Sequence, residues 1–265
     1  MAGTSHDSVR VHPMPPIHTA AINGDADALR RELESGVLPD TPDQFGFLPL
    51  HLVVSNEISG DTVERDNRVA CVHLLAAAGA NMSATCNPDD MTALMYAAAE
   101  DHPTLVATLL DYGSDANQSD DTNWTPLHYA VFSDRGADCM RFLINAGATV
   151  DARCNAGRTP LDLSIDECQR EVYRGDTACA KRRRRLYPIL IRAGAALPAE
   201  TDDVDSESDD TYTYIRKLRA AGSFQNYERA HLNAIVASFA PKFSHLLPPE
   251  LVRRVAEYAF HVGDY

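Results

Sequence analysis

Three histidines sit in near-identical surroundings: His18 in Pro-Pro-Ile-His, His51 in Leu-Pro-Leu-His and His128 in Thr-Pro-Leu-His. Imidazole can act as a general base or a metal ligand near neutral pH, so this recurrence is the first place to look for chemistry. The six cysteines are the second, as candidates for a metal site or a disulfide framework. Neither set has the spacing such sites need, because no Cys-x-x-Cys or His-x-x-x-His occurs. Four cysteines instead recur in phase. Cys71 and Cys139 each lie eight residues before a glycine (Gly79, Gly147), and Cys86 and Cys154 each lie seven after the same glycines. That pattern predicts reduced, packing cysteines in a reducing compartment. No phosphate-cradling glycine loop and no Gly-x-Ser-x-Gly elbow is present. The expectation is a non-enzymatic chain with no cofactor and no metal.

The elements around these residues explain the recurrence. In Trp124–Ala130, Thr125 can offer its hydroxyl to free backbone N–H groups, and Pro126 suits a first helical position. Leu127, Ala130 and Val131 then share one helical face. A polar break at Ser133–Gly136 precedes a second apolar helix, which Gly147 can close at positive φ. Copies of the tetrapeptide begin at Pro15, Leu48, Thr92, Thr125 and Thr159, with closing glycines at Gly36, Gly79, Gly113, Gly147 and Gly194. Their spacings are 33, 44, 33 and 34 residues. Helix, turn, helix and polar hairpin at a period of about 33 resembles the ankyrin repeat. The resemblance implies an all-α ankyrin-repeat solenoid with β-hairpin loops, in which the recurring histidine holds the turn by hydrogen bonding rather than performing catalysis.

The expected organisation is a disordered tail over 1–14, then repeats over 15–47, 48–91, 92–124, 125–158 and 159–199, an acidic linker over 200–211 and a helical C-terminal segment over 212–265. Repeat two carries the insertion 56–67, charged and Gly-containing, which predicts a solvated loop between its helices. Pro103 marks the start of a second helix. Repeat five has Asp162 in place of the histidine and about 13 extra residues by comparison with repeat four. Those residues include Arg-Gly-Asp at 174–176, which resembles an integrin ligand and is discounted as a chance tripeptide. They also include the basic run Lys181–Arg185, either a nuclear-import signal or a solvated helix face. Pro188 should kink the last helix of the repeat or delay its start.

Composition sets further bounds. The net charge of −14 argues against nucleic acid and anionic membrane surfaces as partners. With no apolar run of 18 residues and no signal-type N-terminus, the chain is expected to be cytoplasmic, and also nuclear if the basic run is read. The run 201–210 holds six acidic residues around Ser206 and Ser208, a weak site for acidophilic kinases, whereas 212–265 is net positive by three. The latter stretch predicts three helices: one ended by Gly222, one over Tyr227–Phe239 stopped by Pro241, and one starting at Leu-Pro-Pro-Glu. Their order is similar to the SOCS box of ankyrin-type ubiquitin-ligase receptors, which dock elongin and cullin subunits. By that resemblance Leu232 and Val236 would stand in the first docking element, and Leu247, Pro248 and Leu251 in the second. Adjacent prolines and a missing cysteine depart from that pattern. A helical cap over the last repeat is the alternative.

Function is then argued from surface. Ankyrin-type arrays bind proteins through hairpin tips and the exposed face of each first helix. The position after the motif histidine is Thr19, Leu52, Tyr96, Tyr129 and Leu163, and one hairpin tip carries Phe45. Tyr129 lies about 200° around the helix from Leu127, so the two cannot both face the core. Phe45, Leu52, Tyr96, Trp124, Tyr129 and Phe132 are therefore the candidate partner-binding residues, rimmed by Glu100, Asp101, Asp120 and Asp121. The expected function is a protein–protein interaction scaffold. The alternatives are a substrate-recognition subunit of a cullin-type ubiquitin ligase and an ankyrin inhibitor of a transcription factor.

Overall fold

The computed structural model describes residues 14–55, 62–86, 89–133, 136–198, 210–243 and 250–251. The chain divides into two compact units, 1–149 with 153–157, and 150–152 with 158–265.

The first unit holds four helix pairs: α1 (Pro16–Ile22) with α2 (Ala26–Glu34), α3 (Pro49–Val54) with α4 (Thr62–Ala77), α5 (Ala93–Ala99) with α6 (Pro103–Asp111), and α7 (Pro126–Phe132) with α8 (Ala137–Asn145). The first helices stack in the order α1, α3, α5, α7 and the second in the order α2, α4, α6, α8, giving two layers with the core between them. Leu50, Val53, Leu75, Leu94, Leu109, Leu127 and Leu143 are fully or almost fully buried along that seam. Proline begins α1, α3 and α7, where its missing N–H forfeits no helical bond. The closing glycines Gly36, Gly79, Gly113 and Gly147 all take positive φ. Between the second and third pairs, β1 (Thr85–Cys86) and β2 (Met91–Thr92) pair antiparallel, with Cys86 opposite Met91.

Each recurring histidine is spent on structure. The Nε2–H of His18 donates to the Phe47 carbonyl at 3.1 Å, and that of His51 to the Ala84 carbonyl at 3.2 Å, so each ties its first helix to the hairpin segment at the end of its own repeat. His128 turns its Nδ1 to the Thr125 N–H at 3.1 Å and closes a capping box. Asp162 does the same in repeat five, accepting from the Thr159 N–H at 3.0 Å while Thr159 accepts from Asp162 at 3.2 Å.

The repeat-two insertion departs from the loop expectation. Residues 62–67 form the first turns of α4, which runs 16 residues, and 56–61 lie outside the described residues. The reason is Arg68. Its side chain is 2% exposed and donates to the carbonyls of Val53 (2.6 Å) and Ile22 (3.2 Å), and it pairs with Glu64 (3.1 Å) one turn back on the same helix. A charged stretch that looks like a solvated loop is thus the start of a helix whose arginine reaches the C-terminal carbonyl of α1 and a last-turn carbonyl of α3.

The second unit comprises α9 (Pro160–Arg174), α10 (Thr177–Arg184), α11 (Tyr187–Arg192), α12 (Asp210–Ala220) and α13 (Phe224–Phe243). The repeat-five insertion lengthens α9 and adds α10, which packs back along it. Arg174–Asp176 is the turn between them: Gly175 ends α9 at φ 83°, and Asp176 caps α10 by accepting the Cys179 N–H at 2.9 Å. The basic run falls on α10, and Arg183 is buried there, so a solvated face describes Lys181, Arg182 and Arg185 but not the whole run. Pro188 delays α11 rather than kinking it, sitting at its second residue. The last closing glycine, Gly194, also takes positive φ.

α12 and α13 pack on each other and onto α11: Ile215 and Leu218 are buried, Tyr214 lies 6.4 Å from Tyr187 and 5.5 Å from Tyr227, and Arg192 pairs with Glu228 at 2.5 Å. Pro241 does not stop its helix. α13 continues to Phe243, so the absent N–H removes one bond in its closing turns. The third expected helix is described only at 250–251, where the backbone is helical; the tail 1–13 and most of the acidic linker also lie outside the described residues.

Candidate functional site

The inner edges of the hairpins and the faces of α5 and α7 bring an aromatic ladder together. Two hairpins are built by the same device, an aspartate four residues before an aromatic. Asp43 Oδ1 accepts the N–H groups of Phe45 and Phe47, each at 2.8 Å. Asp120 Oδ1 accepts from the Thr122 N–H (2.9 Å), the Thr122 hydroxyl (2.8 Å) and the Trp124 N–H (2.8 Å). The residue before each inner position takes a left-handed conformation, Gly46 at φ 88°, Asp90 at 52° and Asn123 at 59°, which turns Phe47, Met91 and Trp124 inward.

The rings then form a chain. Phe47 lies 6.4 Å from Tyr96. Trp124 lies 5.2 Å from Tyr129, 5.9 Å from Phe132 and 6.0 Å from His128, all tilted geometries that suit ring quadrupoles. Beneath them Cys86, Met91 and Met95 form a buried cluster against which Phe47, Tyr96 and Tyr129 pack, so the two ring groups share one floor. Tyr129 donates to Asp120 Oδ2 at 2.6 Å, and the Cys86 thiol donates to the Tyr96 hydroxyl at 3.7 Å. Burial pushes both phenols well above their usual range, and for Tyr129 the Asp120 carboxylate adds to the effect. Both tyrosines are therefore held in the neutral form, Tyr129 as a donor to Asp120 and Tyr96 as the acceptor of the Cys86 thiol.

Of the six residues singled out from sequence, Tyr96, Trp124, Tyr129 and Phe132 meet in this ladder. Phe132, at 46% exposed, is its most open ring. Phe45 is 64% exposed at the tip of its hairpin, outside the ring contacts. Leu52 is a correction: at 7% exposed it lies in the core, because α3 has its entire length buried between its neighbours. The tyrosines are half-buried rather than outward-facing, since the hairpins fold over their rings. Phe47 was not singled out; the aspartate four residues earlier, repeated before Trp124, is the signal that finds it.

In the C-terminal segment, Leu232 and Val236 are half-buried on α13, Leu251 is 42% exposed, and Leu247 and Pro248 lie outside the described residues. Spacing rules also passed over a group of possible metal donors, Glu171, Asp176 and Cys179, whose ligand atoms lie within 4.8 Å of one another. Its donors already have work: Asp176 caps α10, and Arg174 donates to Glu171 at 3.2 Å.

Comparison with known proteins agrees with this architecture. The family model "Ankyrin repeats (3 copies)" matches residues 17–120 and 60–154. The chain is similar to human protein phosphatase 1 regulatory subunit 27, 38% identical over 96 residues, 36% of this chain and 62% of that protein. It is similar to the Drosophila melanogaster neurogenic locus Notch protein, 35% identical over 108 residues, 40% of this chain and 4% of that protein. It is also similar to human inversin, 31% identical over 151 residues, 56% of this chain and 13% of that protein. The chain thus spans less than two thirds of these relatives. Family match, repeat period and stacked helix pairs agree: the chain belongs to the ankyrin-repeat family.

Proposed function

We propose that this chain is a non-enzymatic protein-interaction scaffold that holds a partner against the ladder of Phe47, Tyr96, Trp124, Tyr129 and Phe132. The observation that carries the reading is the half-open Trp124–Phe132 pair. Trp and Tyr dominate interface energetics, and here their rotamers are already fixed by ring contacts and by Asp120, so little ordering entropy remains to be lost on binding. The human relative is named a regulatory subunit of protein phosphatase 1, which makes that phosphatase a first protein to test as partner.

The test is to recover partners by proximity labelling with the wild-type chain and with Phe132→Ala, then measure the recovered partner's affinity for both. Phe132 is exposed enough that its removal should leave melting nearly unchanged while weakening binding by more than about 1 kcal/mol, roughly a fivefold change in Kd. A partner that binds both proteins equally well removes the ladder from the interface.

A second reading keeps the C-terminal segment as a docking element for elongin and cullin subunits, favoured by Leu232 and Val236 four residues apart on one side of α13. Pull-down of those subunits with and without residues 212–265 decides it, and a result independent of the segment rejects it.

A further inference from the structure

We infer that the occupant of the aromatic ladder is an extended cationic segment, with Arg or Lys side chains set between apolar anchors. This rests on the scaffold reading above and adds the chemistry of the partner. Hairpin residues 43–47, 89–91 and 120–124 contain Asp43, Asp89, Asp90, Asp120 and Asp121 and no Lys or Arg. Two of these carboxylates are consumed internally, Asp43 by its own turn and Asp120 by its turn and Tyr129. Asp89, Asp90 and Asp121 are exposed, as is Glu100 at the end of α5, and among the described residues none of the four has an ion pair.

Of these four, Asp89 acts on the rings directly. Asp89 contributes to the raised pKa of Tyr96, Tyr129 and Cys86, and Asp120 to that of Tyr129. An anionic or neutral segment entering this edge would meet uncompensated carboxylates. A guanidinium or ammonium would gain both their charge and the face of Trp124, the aromatic that attracts cations best. The apolar anchors are required by the other half of the surface: Phe132 and Trp124 offer carbon, and an all-charged peptide would leave it covered by water. An extended backbone suits a row of rings that crosses successive repeats from Phe47 to Phe132.

Trp124 is the single tryptophan of the chain, so its emission reports this surface and nothing else. The experiment is to pan a random-peptide display library on the full-length chain, then titrate the enriched peptides into it while following Trp124 fluorescence. The expected pool is net positive with aliphatic or aromatic residues, shifts the emission, and weakens by about tenfold or more as ionic strength rises from about 0.05 to about 0.5 M. The double variant Asp89→Asn, Asp121→Asn changes exposed side chains only; it should melt like wild type and bind the same peptides several-fold more weakly. A pool that shifts Trp124 but is neutral or acidic, or is indifferent to the double variant, overturns the cationic assignment and leaves the docking surface standing. A pool that leaves Trp124 silent, or no enrichment at all, overturns both.

Discussion

His51 shows how much of a repeat can rest on one side chain. It is fully buried, it donates to Ala84 in the hairpin segment 33 residues on, and the ring of Tyr96 stands edge-on to it at 6.1 Å. Burial lowers its pKa to about 4 from an ordinary 6.5, against the opposing pull of the Ala84 and Met91 carbonyls and Asp40. A depressed histidine pKa means that the unfolded chain binds the proton first as pH falls. The contribution is therefore intact above about pH 6.5 and is lost progressively towards pH 4. It should reach about 3 kcal/mol at the acid end, from 1.36 kcal/mol per pH unit. Urea denaturation at pH 7 and pH 4 should show the wild type losing more stability than His51→Gln, whose amide can still donate to Ala84 but does not titrate. Equal losses in the two proteins would refute the assignment. The equivalent place in repeat five has Asp162, which caps its own helix as His128 does but, as a carboxylate, has no N–H to give to a hairpin carbonyl.

At the scale of elements, α4 is where local reading went astray and where a long-range contact decides. Glu64 and Arg68 at i,i+4 are a helix signal in their own right, but the Gly-containing charged run before them reads as loop. What makes the segment helical to Thr62 is that Arg68 meets two carbonyls from helices 15 and 46 residues earlier in the chain. Arg68→Met keeps volume and apolar stem but leaves those carbonyls dry, so it should cost on the order of 2–5 kcal/mol, with partial recovery in Arg68→Lys. An unchanged urea midpoint for Arg68→Met would mean that water replaces the guanidinium at no cost. Pro241 teaches the converse. A proline that locally predicts a stop is accommodated two residues before the end of its helix, where only one backbone bond is lost.

For the whole molecule, the in-phase cysteines bear on accessibility. Cys71, Cys86, Cys139, Cys154 and Cys168 are buried and unpaired with one another, and Cys179 is half-buried. Burial pushes the Cys71 thiol up to about 11 and also raises Cys86 and Cys139, where Asp101 adds to the effect. Since the thiolate is the reactive form, Ellman's reagent should find one prompt thiol in the native protein, Cys179, and all six after unfolding. Two or more prompt thiols would show that the repeats open far more readily than their packing implies.

What the sequence alone determined is everything carried by neighbours within one or two helical turns: the repeat period, the Thr or Pro that begins a helix, the glycine that ends it, and hence the family. Those signals are local because a cap bonds three residues away and a closing glycine needs only its own φ. The tertiary structure alone decided which of the equivalent positions is surface. Leu52 and Tyr96 occupy the same place in successive repeats, yet Leu52 is core and Tyr96 half-open, because what covers each comes from neighbouring helices and hairpins. Phe47 joins the ladder through a contact 49 residues away, beyond the reach of any helical periodicity. Stacking buries a face only when the next repeat arrives, and the identity of that neighbour is written elsewhere in the chain.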